Sequence, residues 1–124
     1  MSKKTLKIEI EITEETLNDL MVDALEGGSN YWYCITEYGV KPAKTNYTSE
    51  YPMKGGYLMI TDGMADDPIL KKPIMLDKKR CFAGIRLLAK KEPATLAEIL
   101  GGNYDANTAD IFLQYCIFKK VIYG

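Results

Sequence analysis

The stretch EGGSNYWYC, residues Glu26 to Cys34, decides how this chain is read, because it joins the first helical pattern to the first aromatic one. On its amino side, Thr13 has the chemistry of a helix N-cap, and Glu14 and Glu15 follow where the helix dipole favours negative charge. Leu17, Leu20, Met21, Ala24 and Leu25 then recur at helical spacing, and Gly27-Gly28 is the expected stop. On its carboxy side, NYWYCITEY is rich in aromatic and β-branched residues and is expected to be a strand. In a regular strand, Tyr31, Tyr33 and Ile35 share one face and Trp32, Cys34 and Thr36 the other. Only one face can then be core, so the other displays aromatic surface.

Working outward, the amino-terminal LKIEIEI alternates strictly from Leu6 to Ile12 and predicts a strand with Lys7, Glu9 and Glu11 on its wet face. Residues 39–56 hold prolines, glycines and polar residues and predict a long irregular excursion. YLMIT at 57–61 predicts a short strand closing on Asp62-Gly63. A second polar excursion, residues 62–72, precedes the apolar 73–76. Asp77 is the expected N-cap of a helix over about 78–91, with Cys81, Phe82, Ile85, Leu88 and Ala89 inward. Pro93 ends it, and Thr95 is the expected cap of a short turn that Gly101-Gly102 closes. A last helix is expected to start near Asp105 or Thr108, with Ala109, Phe112, Leu113, Cys116 and Ile117 inward, and the chain ends as a strand or extended tail. Strands first and helices later, without a repeating β-α-β-α unit, predict one α+β domain over 1–124, with a mainly antiparallel sheet and about three helices.

Composition narrows the chemistry. The chain has 124 residues, long enough to bury a real core, and no apolar run approaches the ~20 residues of a membrane-spanning helix. The amino terminus shows no apolar signal region, and Cys34, Cys81 and Cys116 are odd in number and set among apolar or aromatic neighbours. A cytoplasmic protein with small buried thiols is expected. Sixteen basic and seventeen acidic residues leave a net charge of −1, so no global field favours long nucleic acid or an anionic membrane. There is no histidine. That removes the usual general base near neutral pH, the commonest metal ligand and the histidine-activated nucleophile pairs. The acidic groups Asp62/Asp66/Asp67 and Asp105/Asn107/Asp110 lack calcium-loop spacing and suit turns and helix caps. Glu9 and Glu11 form a carboxylate pair with no substrate placed beside them. No catalytic residue, metal or cofactor is expected.

The candidate ligand residues combine π-faces, small polar groups and cations. Ser29 and Asn30 lead into Tyr31 and Trp32. Tyr47 and Lys54 stand in the long excursion. Arg80 and Arg86 stand about one and a half turns apart on the expected helix. Such a set suits a phosphate-bearing, base-containing small molecule, with charge for the phosphates and aromatic faces for the base. Ordinary strand packing, a helix cap at the glycines and solvated lysines explain the same residues structurally.

The segments ITEETLNDLMVDALEGGSNYWY and DANTADIFLQYCIFKKVIYG resemble small proteins encoded by bacteriophages and prophages, on Ala24 to Trp32 and Ala109 to Tyr123. Those proteins share an ALEGG-NYW segment and a final helix of the form D-AD-ILQ-A-FG-VVYG. Lys119-Lys120 departs from that pattern, which has a glycine-containing turn there. The resemblance implies a phage accessory protein acting in a bacterial cytoplasm and carries over no catalytic residues. The leading expectation is a non-enzymatic counter-defence factor that binds and sequesters a nucleotide-type immune signal as a homo-oligomer. The alternative is a protein-interaction or morphogenesis module whose aromatic strand meets a host or phage protein or another copy. An enzyme using carboxylate or lysine chemistry on a nucleotide is the third.

Overall fold

A computed structural model describes residues 4–67 and 71–124. Four helices pack on a three-stranded antiparallel sheet, an α+β arrangement, in the order α1 (Glu14–Asp23), β1 (Tyr33–Tyr38), β2 (Leu58–Asp62), β3 (Ile74–Leu76), α2 (Lys78–Lys91), α3 (Pro93–Leu100) and α4 (Ala106–Phe118). The extra helix is α3, which starts with Pro93 in its first turn, where a missing N–H costs nothing. Glu92, not Thr95, occupies its N-cap position. No helix among the described residues is long and apolar enough to cross a membrane.

The local signals for helix starts carry through. The Thr13 hydroxyl accepts from the Thr16 N–H at 3.1 Å, the Asp77 carboxylate from Arg80 N–H at 2.9 Å, and the Asp105 carboxylate from Thr108 N–H at 3.0 Å. Each satisfies a donor that the first helical turn leaves orphaned. The inward sets also hold: Leu17, Leu20 and Met21 of α1, Cys81, Ile85 and Leu88 of α2, and Ala109, Phe112, Leu113, Cys116 and Ile117 of α4 are all buried. Cys81 and Cys116 are buried free thiols, but Cys34 is exposed, contrary to the sequence expectation. Helix α2 crosses α4 at Gly84, where an added Cβ would stand 2.3 Å from Cys116 Sγ. Glycine there sets how closely the two helices approach.

In the sheet, β2 is central and pairs Ile60 with Ile35 of β1 and with Ile74 of β3. The register slips between Ile35 and Glu37, which leaves Thr36 as an extra residue in β1. Leu58 and Ile60 point into the core and Met59 and Thr61 are half-buried, the alternation of a sheet with one covered face. The long excursion stays irregular apart from two short 3-10 turns, Thr48–Glu50 and Pro52–Lys54. Of residues 62–72, three lie outside the described residues.

Two expectations fail, each for a physical reason. Residues Leu6 to Ile12 form no strand: Leu6 is 90% exposed and Ile8 80%. Alternation supplies a face, but a strand also needs a hydrogen-bonded neighbour, and none of the described strands lies alongside. The aromatic stretch also departs from regular alternation. After α1 the chain widens into one π-type turn, Ala24–Gly28, and Ser29 to Trp32 make a further turn, so β1 begins only at Tyr33. Trp32 N–H and Tyr33 N–H both bond the Ser29 carbonyl. Trp32 therefore escapes the alternation of its neighbours and turns into the core at 1% exposure.

Candidate functional site

Two sets of polar side chains stand out, and their surroundings separate them. The first centres on Asp110 of α4, a buried carboxylate that receives four donors. Its Oδ1 accepts from Ser29 Oγ and from Trp32 Nε1, both at 2.7 Å. Its Oδ2 accepts from the Tyr31 hydroxyl at 2.6 Å and from Gln114 Nε2 at 3.1 Å. Asp110 is thus neither cap nor turn residue, contrary to the sequence expectation. Among the described residues this buried carboxyl is held by hydrogen bonds, with no cation paired to it.

Gln114, one helical turn further on and fully buried, extends the network to the carboxy terminus. Its amide donates to the Tyr123 carbonyl at 2.9 Å, and its Oε1 accepts from Ile122 N–H at 2.8 Å and Tyr123 N–H at 2.9 Å. The Tyr123 hydroxyl then donates to Asp62 at the end of β2, at 2.6 Å. The final residues are an extended tail bound to a glutamine rather than a strand. Trp32 fills the space between, with its ring centroid 4.9 Å from Phe118 and 6.2 Å from a nearly parallel Tyr123. Every polar group in this set already has a protein partner, so the set ties the Ser29–Trp32 turn, β2 and the tail to α4.

The network has an alkaline signature. Burial and the Asp110 carboxylate push the Tyr31 phenol up to about 12, and the hydrogen bond to Asp62 followed by burial does the same for Tyr123. Burial, with Glu92 beside it, also raises Tyr115 to about 12. Their ordinary value is 10.0. A phenol whose folded pKa lies above its unfolded one stabilises the fold fully below the unfolded value, and that contribution disappears as pH rises through the folded value. Unfolding free energy should therefore hold steady up to about pH 10 and fall between about 10 and 12. In an absorbance titration of tyrosinate, these three phenols should ionise late and together with loss of the near-ultraviolet dichroism of Trp32.

The second set lines a groove of about 390 Å³ between α2 and the carboxy end of α4. Its rim carries Arg80, Arg86 and Lys90 from α2 and Lys119 from the end of α4, and its floor is Ala83, Leu87, Tyr115 and Cys116. Among the described residues no carboxylate lies within ion-pair distance of these four cations. Arg86 lies over the Phe82 ring, 6.0 Å from its centroid. Burial pushes the Cys116 thiol well above its ordinary value, so it serves the floor as an apolar group and not as a nucleophile. Lys119 is the αL cap of α4, at φ 64°. That conformation costs a lysine about 1 kcal/mol relative to glycine. Lys44, in the long excursion and away from the groove, adopts the same left-handed conformation at φ 63°.

The sequence-level candidates thus divide. Arg80 and Arg86 meet in the groove. Ser29, Tyr31 and Trp32 belong to the Asp110 network, where Trp32 has no exposed ring face and Tyr31 is half exposed. Asn30 is exposed on the turn, its N–H bonded to the Gly27 carbonyl at 3.2 Å. Tyr47 is exposed beside a small cleft with Tyr33, Ile35 and Leu58. Lys54 lines a different cleft, among Glu14, Glu15 and Asp19, where Lys78 pairs with Glu14 at 3.2 Å. Lys90, Lys119 and Tyr115, which also line the groove, were not among the sequence candidates, although the amphipathic pattern of α2 puts Lys90 one turn beyond Arg86. Among the described residues no group of three or more acidic or cysteine side chains is arranged to hold a metal ion. No protein-family model matches the chain, and neither a curated protein nor a solved structure matches it.

Proposed function

We propose that the protein binds and holds, without turning it over, a small phosphate-bearing ligand of nucleotide type in the groove between α2 and α4. The observation that carries this reading is the convergence of Arg80, Arg86, Lys90 and Lys119, with no carboxylate in ion-pair reach among the described residues, around an apolar floor. Like charges brought together without counter-charges repel, and an anion relieves that repulsion. Guanidinium groups suit phosphate because their forked donors match its oxygens, while Ala83 and the half-buried Leu87 offer an apolar surface to a planar base. Among the described residues the groove lining includes neither a histidine nor a carboxylate, Glu92 standing behind Tyr115, and this favours capture over turnover. Together with the resemblance to phage and prophage proteins, this supports a counter-defence role in which a host nucleotide signal is sequestered.

Calorimetry with cyclic and linear nucleotides, and with inorganic pyrophosphate as the phosphate-only probe, tests the proposal. Binding is expected to weaken by at least about ten-fold in Arg86→Ala or Arg80→Ala, the loss that follows from removing one charge-assisted contact. Lys119→Gly should separate strain from function: the fold gains about 1 kcal/mol while ligand affinity drops. Intact ligand should be recovered after the protein is denatured. No heat of binding from any member of the panel would sink the proposal, and recovery of a cleaved product would replace capture by catalysis.

A further inference from the structure

Residues 4–12 carry the pattern of a strand without the partner of one. No backbone group in this arm hydrogen-bonds another described residue, so its donors and acceptors face water or await a neighbour. Leu6, Ile8 and Ile10 are 90%, 80% and 58% exposed on one face, an unusual concentration of aliphatic surface. The inner end of the arm, Ile8 to Ile12, rests beside Ile85, Arg86, Ala89 and Leu96 of α2 and α3, of which Ile85 and Leu96 are already buried.

We propose that this arm pairs antiparallel with the same arm of a second copy, across a two-fold axis at Ile8. The charges select both the partner and the register. In this register Ile8 faces Ile8, Leu6 faces Ile10, and Lys7 of each copy stands opposite Glu9 of the other, so the pairing makes two complementary cross-strand pairs. Sliding one arm by a pleat in one direction sets Lys7 against Lys7, and in the other direction Glu9 against Glu9. A slip by a single residue places aliphatic side chains opposite charged ones. The register about Glu9 also sets Lys7 opposite Glu11, but of these registers only the one about Ile8 pairs Lys7 with Glu9 and brings no like charges opposite each other. The paired arms then bring Leu6, Ile8 and Ile10 of both copies together on one aliphatic face and take their exposed surface out of water. A two-stranded ribbon is marginal alone, so the pairing also draws on the seat of Ile8 to Ile12 beside α2 in each copy.

Sedimentation velocity of the full chain tests this, because the charges can be exchanged between copies. The unaltered chain should be a dimer at micromolar concentration. Ile8→Glu should weaken dimerisation by at least about ten-fold, with unchanged far-ultraviolet dichroism because the side chain is exposed in the monomer. Lys7→Glu and Glu9→Lys should each be monomeric alone, and an equimolar mixture of the two should dimerise, since each then supplies the charge that the other needs. The double variant Lys7→Glu/Glu9→Lys should dimerise by itself. A chain that stays monomeric at about 1 mM overturns the proposal. So does a dimer that survives Ile8→Glu, which would lie on another surface such as the open edge of β1. A mixture of the two charge variants that remains monomeric rejects the register and the pairing with it.

Discussion

Asp110→Ala is expected to remove about 4 kcal/mol of stability, read as a lowered midpoint in urea with little change in the transition slope. The estimate follows from what the carboxylate holds. Ser29 Oγ and Trp32 Nε1 are buried and lose their acceptor outright, at about 1–3 kcal/mol each. The Tyr31 hydroxyl is nearer to solvent and finds water, so Tyr31→Phe should cost under about 1 kcal/mol. Gln114 keeps its bonds to the tail but loses one anchor of its amide. Set against the 5–15 kcal/mol that a typical domain has in total, the alanine variant should be marginal near 37 °C. A loss below about 1 kcal/mol would mean that water replaces the carboxylate and that the network is not structural.

Gly28→Ala should be almost as damaging, with a cost of about 3 kcal/mol, while Gly27→Ala one residue earlier should be neutral or stabilising by up to about 1 kcal/mol. The contrast is geometric. A Cβ on Gly28 would stand 2.2 Å from the Ala106 carbonyl oxygen and 3.4 Å from the Asp110 backbone nitrogen, whereas a Cβ on Gly27 meets nothing within 4 Å. The obstacle at Gly28 is the backbone of α4, which cannot rotate aside. Relief requires α4 to move away, and that movement carries Asp110 off Ser29 and Trp32. Thermal unfolding of the two alanine variants, measured side by side, should separate them by several degrees, with Gly28→Ala well below the unaltered chain and Gly27→Ala at or above it. Equal effects would show that the glycines act only by ending the helix.

That pair of glycines also shows what the sequence could and could not disclose. Their place after an amphipathic helix was legible, because the spacing of Leu17, Leu20, Met21 and Ala24 is local. So were the caps at Thr13, Asp77 and Asp105, which act within a single turn. The reason for Gly28 was not legible, since it is a contact with a helix far along the chain. The same limit hid the Asp110 network: its members are separated by about eighty residues of sequence, and an aspartate inside a helix carries no local sign of the donors that will reach it. Regular alternation left open which face Trp32 takes, and the turn from Ser29 to Trp32, which breaks that alternation, decides it. Arg80 and Arg86 stood out as candidates by residue type and helical spacing, but the groove also includes Lys119, whose approach depends on how α4 ends. The arm at Leu6 to Ile12 was legible as a strand in pattern alone.

The sharpest discrimination is between the cationic groove and the aromatic turn as the place where a ligand sits. Amide chemical shifts of the isotope-labelled protein, followed during titration with a nucleotide that gives heat in calorimetry, make that distinction residue by residue. The largest changes are expected at Arg80, Arg86, Leu87, Lys90, Tyr115 and Lys119, with Ser29 to Trp32 and Asp110 unmoved. Changes centred on Tyr31, Trp32 and Asp110, with the groove silent, would contradict the assignment of the site and return the aromatic turn to that role.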